Sequence, residues 1–207
     1  MTVLLDAQST FLFTGDSVTD CGRREDVDRQ LGHGYVRVLT SLWSEAAPTV
    51  INTGIGGNRA VDLQGRLQSD VLDHRPDLVS ILIGINDTWR RYDSDDPTTV
   101  ESYESSYRAI LQQVAAQGSQ LVLIEPFLLA IDDDQHGWRE DLDPKIEAVH
   151  RLASEFSAIL VPADTELNRI AKKGGPAALA ADGVHPTPLG HVELAQLWHR
   201  TVIKEAG

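Results

Sequence analysis

Four stretches of the chain set side chains capable of acyl-transfer chemistry among residues that shape turns. Thr14-Gly15-Asp16-Ser17 closes an apolar run. Its serine falls where a strand passes into a helix, so the hydroxyl can project over the strand end while backbone N–H groups face the same space. Ser and Asp are also favoured helix N-caps, and that structural reading stands beside the chemical one. Asp182-Gly183-Val184-His185 places an acid three residues before a histidine, in a loop stiffened by Gly183, Pro186 and Pro188. An Asp so placed can hold the imidazole through its Nδ1 proton, leaving the ring as a general base for a serine. Ser17, His185 and Asp182 are the candidate catalytic residues.

The other two stretches offer donors. In Asn52-Thr53-Gly54-Ile55-Gly56-Gly57-Asn58-Arg59 the glycines let backbone approach a ligand, and the N–H of Gly57 can donate to an oxyanion. Gly56 competes for that role, and a plain turn explains the segment equally well. Arg59 stands where the third glycine of a dinucleotide-binding fingerprint is needed, so that motif fails. Gly84-Ile85-Asn86-Asp87-Thr88-Trp89-Arg90-Arg91 supplies an Asn amide, a neutral donor suited to a developing oxyanion; a turn-forming Asn-Asp is the structural alternative. A specified triplet such as Gly15-Asp16-Ser17 or Gly84-x-Asn86-Asp87 arises by chance in roughly two chains per hundred of this length, and the Asp182-x-x-His185 pair more often. The ordered conjunction of Gly15-Asp16-Ser17, Gly84-x-Asn86-Asp87 and Asp182-x-x-His185 is therefore informative where each alone is weak.

The elements that must position these residues follow from hydrophobic period. Five short apolar runs, Thr10–Thr14, Thr49–Thr53, Leu78–Ile83, Leu121–Glu125 and Ala158–Val161, read as strands buried on both faces. Between them lie helical stripes: Tyr35, Val38, Leu39, Leu42 and Trp43; Val61, Leu63, Leu67, Val71 and Leu72; then segments over Val100–Gln117, Pro144–Ser157 and Leu189–Lys204. Strictly alternating strands and helices predict an α/β three-layer sandwich with a five-stranded, mainly parallel sheet, filling residues 1–207 as one domain. In such sheets ligands bind beyond the carboxyl ends of the strands, where strand order reverses. The motifs holding Ser17, Gly57 and Asn86 each follow a predicted strand.

Composition narrows the partners. Of 207 residues, 18 are Lys or Arg and 31 Asp or Glu, a net charge of −13 that repels nucleic-acid phosphates and anionic membrane surfaces. A single cysteine, Cys21, excludes an intramolecular disulfide, and the acid in Met1-Thr2-Val3-Leu4-Leu5-Asp6 is unlike a signal peptide, so a cytoplasmic protein is expected. Asp132 to Asp143 imitates a twelve-position calcium loop, but His136 and Asp143 are poor substitutes at positions that need an oxygen ligand and a bidentate Glu. No metal or cofactor is implied.

Taken together, the four blocks resemble the SGNH hydrolases, the GDSL esterase and lipase family, from Thr14 to Gly190. The resemblance implies a flavodoxin-like fold, Ser17 as nucleophile, His185 as base, Asp182 as its partner, and an oxyanion hole made by the Ser17 and Gly57 amides and the Asn86 side chain. Gly57 is preferred over Gly56 because the family's glycine usually precedes a polar residue, here Asn58. Val18 departs from the family's usual leucine without consequence. The longer strings around Ser17, Asn86 and His185 are most similar to bacterial intracellular acetylxylan esterases. That implies a serine esterase acting on acetylated xylo-oligosaccharides or related sugars, as a homo-oligomer. Trp89 and Arg90 suit the apolar face and hydroxyls of a sugar, against the alternative that Trp89 packs internally and Arg90 and Arg91 pair with acids. A broad short-chain carboxylesterase, thioesterase or lysophospholipase is the alternative within the family, and an idle sugar-binding module the alternative outside catalysis. Cys21, four residues beyond Ser17, reads as a small buried residue rather than a nucleophile.

Overall fold

A computed structural model describes residues 2–28, 30–43 and 47–204. Five strands, β1 (Thr10–Gly15), β2 (Thr49–Asn52), β3 (Leu78–Leu82), β4 (Gln120–Ile124) and β5 (Ile159–Val161), form one sheet in the order β2-β1-β3-β4-β5, and every pairing is parallel. Each lies within a residue or so of its predicted run. The order is the flavodoxin-like one, whose reversal falls between β1 and β3. Eleven helices are described: α1 (Ser17–Asp20), α2 (Tyr35–Leu42), α3 (Ala60–Gly65), α4 (Leu67–Asp70), α5 (Ile85–Asp93), α6 (Val100–Ala116), α7 (Asp133–Gly137), α8 (Arg139–Glu155), α9 (Ala163–Gly174), α10 (Pro176–Leu179) and α11 (Pro188–Val202).

Alternation along β1 divides the core. Phe11 and Phe13 point to one face, where Tyr35 and Leu39 of α2 and Leu194 and Trp198 of α11 bury them. Leu12 points to the other, among Leu63 of α3, Tyr103 and Tyr107 of α6 and Val149 and Leu152 of α8. Helices cover both faces of β1, β3 and β4, which are near-continuous apolar runs, whereas the edge strand β2, also expected to be buried on both faces, is partly exposed because one of its sides has no neighbouring strand. Beyond the strand ends Ile85, Leu128, Trp138, Leu142, Ile146 and Val184 form a third cluster, against which Trp89 packs. This cluster anchors the segment that carries His185.

Several helix expectations are corrected. Leu42 and Val61, placed on apolar stripes, are 44% and 55% exposed; α2 buries Val36 instead, and α3 starts at Ala60 with Leu63 inward. The helix expected to begin at Pro144 begins at Arg139, because Leu142 and the Asp141–Lys145 pair extend its buried face upstream of the proline. The calcium-like segment is a short helix: Asp132 caps α7 by accepting from the Gln135 N–H at 2.8 Å. Among the described residues no helix is long and apolar enough to cross a membrane.

Candidate active site

Gly15 has φ +150°, and a Cβ there would sit 1.9 Å from the Leu82 carbonyl oxygen, so only glycine lets β1 leave the sheet this close to β3. Asp16 then caps α1, its Oδ1 accepting from the Val18 N–H at 3.0 Å. The cap role thus belongs to Asp16, and Ser17, first residue of the helix, keeps its hydroxyl free and its N–H without an intrahelical acceptor. Cys21, in a left-handed conformation at φ +36°, ends the helix after one turn.

Ser17 and His185 are 168 residues apart in the chain, yet Ser17 Oγ lies 2.9 Å from His185 Nε2. His185 Nδ1 lies 2.6 Å from Asp182 Oδ2, so the shared proton sits on Nδ1 and Nε2 is the acceptor for the serine hydroxyl. Asp182 Oδ1 accepts from the N–H groups of Val184 and His185 at 3.0 and 2.7 Å. Partial burial works against the Asp182 charge, but these hydrogen bonds outweigh it and hold the carboxyl below the usual range. The Asp182 and His185 side chains are 49% and 45% exposed. Their loop is held from behind, where Gln135 Nε2 donates to the Asp182 carbonyl at 2.7 Å and the Leu129 N–H to that of Gly183 at 2.8 Å. Gln135 carried no signal in the sequence, since its partner is 47 residues away.

The donors face the same strand ends. Gly56 gives its N–H to Asp20 Oδ2 at 3.0 Å, whereas Gly57, at φ +81°, makes no hydrogen bond to the described residues through its own N–H. One hydrogen of the Asn86 amide goes to the Asn58 carbonyl at 3.0 Å, and an amide has a second to offer. Arg66, also missed by sequence reasoning, ties these loops together: its guanidinium donates to the carbonyls of Gly15 and Thr53 at 3.0 and 2.7 Å and to Asn58 Oδ1 at 2.7 Å.

Trp89 touches both sides of the site, its ring centroid 5.8 Å from that of His185 and 5.7 Å from that of Trp138. Arg90 pairs with Asp93, and its guanidinium lies 3.9 Å from where a Gly57 Cβ would be. Arg91 turns away to Glu140 and Asp141 on α8, at 2.8 and 3.2 Å, so of the two arginines only Arg90 borders the glycine loop. Cys21 is half-buried and lies 3.3 Å from His191 Nε2. His191 Nδ1 accepts from the Tyr35 N–H at 3.1 Å, so its Nε2–H donates to the cysteine sulfur. Burial, then the charge of His185, push the His191 pKa down to about 4, which keeps that ring neutral.

A serine hydroxyl aligned on an imidazole, itself aligned on a carboxylate, with donors clustered at the switch point of a flavodoxin-like sheet, is the arrangement that serine-dependent acyl transfer requires. The sequence profile of the GDSL-like lipase/acylhydrolase family matches residues 13–192, and the chain belongs to that family and is an ester hydrolase. It is 36% identical over 203 residues, 92% of either chain, to an acetylxylan esterase of Geobacillus stearothermophilus. The crystal structure of an acetylxylan esterase from that organism superposes with a TM-score of 0.90 at 33% identity over 98% of both chains. A GDSL-like protein from Parabacteroides merdae superposes at 0.88, with 33% identity over 97% of this chain and 98% of its own.

Proposed function

We propose that the protein removes acetyl groups from sugars such as acetylated xylo-oligosaccharides through a covalent acyl-enzyme on Ser17. The observation that carries this reading is the unbroken hydrogen-bonded line Ser17–His185–Asp182, open to solvent on one side and bordered by unused donors on the other. Ser17 Oγ attacks the ester carbonyl as its proton passes to His185 Nε2. The oxyanion is held by the N–H groups of Ser17 and Gly57 and the second hydrogen of Asn86 Nδ2. Collapse expels the sugar alkoxide, which takes the proton from His185. Water, deprotonated by His185, then attacks the acyl-enzyme and releases acetate. The charged Asp182 holds the imidazole in the tautomer that accepts from Ser17.

The relatives support these assignments. Catalytic mutants of the Geobacillus esterase replace a serine near its N-terminus, and an aspartate and a histidine spaced three residues apart, the spacing of Asp182 and His185. Trp89 and Arg90 supply an apolar face and guanidinium donors to the sugar beside Gly57. The exposed triad leaves room for an oligosaccharide, and the net charge of −13 steers the enzyme away from polyanions. The chemistry draws on the side chains and backbone N–H groups of this chain and on water, in a single domain acting in the cytoplasm as a homo-oligomer. Acetate release from acetylated xylo-oligosaccharides, compared with hydrolysis of p-nitrophenyl octanoate, tests the substrate class: preference for the octanoate contradicts it. Full activity of Ser17→Ala contradicts the mechanism.

A further inference from the structure

We propose that Asp87, which no step above uses, is a positioning residue for the oxyanion hole: its buried carboxyl locks the Gly57 loop to the helix that carries Asn86. The inference rests on the reading of Gly57 and Asn86 as oxyanion donors. Two successive side chains near the start of α5 grip alternate residues of one short segment. Asn86 Nδ2 donates to the Asn58 carbonyl at 3.0 Å, and Asp87 Oδ2 accepts from the Ala60 N–H at 3.1 Å. One contact takes a carbonyl and the other an N–H, so the segment can neither slide along α5 nor rotate against it. Gly57 lies immediately upstream with a glycine's freedom and no bond through its own N–H to the described residues, so the direction of that N–H is set by how its neighbours are held.

Asp87 is a costly way to fill this position. It is fully buried, its Oδ1 has no hydrogen-bond partner among the described residues, and burial pushes its pKa up to about 7. Packing alone is better served there by an apolar side chain of similar size. Only an acceptor in this place, however, can hold the Ala60 N–H. A displacement of about 1 Å at a reacting centre is enough to cost about a hundredfold in rate, so fixing the loop has catalytic weight.

The test compares Asp87→Leu, which removes the acceptor, with Asp87→Asn, which keeps one, each alone and combined with Asn86→Ala. The readouts are kcat and KM for p-nitrophenyl acetate, inhibition by phenylboronic acid, whose serine adduct is tetrahedral and negatively charged, and Tm. Asp87→Leu is expected to lower kcat by about ten- to a hundredfold and to weaken boronate binding by a similar factor, with KM within about threefold. Asp87→Asn is expected to recover most of kcat. The losses from Asp87→Leu and Asn86→Ala should combine to less than their product, because both loosen one clamp. If Asp87→Leu does not fold, Asp87→Ala carries the same comparison. Unchanged kcat and boronate binding in the acceptor-free variant, fully multiplicative losses, or an Asp87→Asn as slow as Asp87→Leu each overturn the proposal. A Ser17→Ala enzyme that still turns over instead overturns the acyl-enzyme reading on which it rests.

Discussion

Asp182 and the pair Asp16 and Asp87 carry the same functional group near the same strand ends, in opposite surroundings. Asp182 is half exposed, accepts three hydrogen bonds and is held below the ordinary carboxylate range. Asp16 and Asp87 are buried, each accepts one backbone N–H and leaves its other oxygen without a partner among the described residues, and burial pushes both up to about 7. One environment keeps a permanent charge beside the His185 imidazole; the other leaves carboxyls that take up a proton near neutral pH while accepting from the backbone. Environment, not residue type, divides the labour.

That contrast can be broken at its strongest point. Asp182→Asn keeps the shape of the side chain but removes the charge that fixes the His185 tautomer, and kcat is expected to fall by about 10³- to 10⁴-fold at neutral pH with little change in Tm. A loss under tenfold would mean that the charge is dispensable. Asn86→Ala removes one donor and should slow acetate release by about 10²- to 10³-fold, mainly in kcat. Smaller effects test the buried pair. Because the folded-state pKa of Asp87 lies above the ordinary carboxylate value of 3.8, the folded form binds more protons between pH 4 and 7, so its contribution to stability is lost as pH rises through about 7. Asp87→Asn, neutral at every pH, should therefore raise Tm over wild type by more at pH 8 than at pH 5; an equal difference at both contradicts a raised Asp87. The smallest expected effect is that of Cys21→Ser, which leaves an acceptor for the His191 Nε2–H: p-nitrophenyl acetate turnover should stay within about twofold of wild type.

Much of this arrangement was legible in the sequence, for identifiable physical reasons. A parallel strand covered on both faces is an apolar run, so β1 to β5 stood out, and the turns after β1, β2 and β3 had to carry whatever chemistry the fold performs. Helix α5 was not legible as a helix, because the side chains it buries include Asn86, Asp87 and Thr88, polar groups that leave no apolar stripe to read. The residues alone did not separate Gly56 from Gly57, and only the family resemblance favoured Gly57, because the two differ in a backbone N–H: Asp20, 36 residues away, occupies that of Gly56. Gln135 and Arg66 act on carbonyls distant in the chain, contacts that no local pattern encodes.

The central claim is that Ser17 is a nucleophile activated by His185. It is tested most directly by incubating the wild type and His185→Ala with a fluorophosphonate and locating the adduct by peptide mass spectrometry. The account predicts one phosphonyl group on Ser17 in the wild type and labelling slower by at least about a hundredfold in the variant. An adduct on another residue, or equal labelling of Ser17 with and without the imidazole, would contradict it.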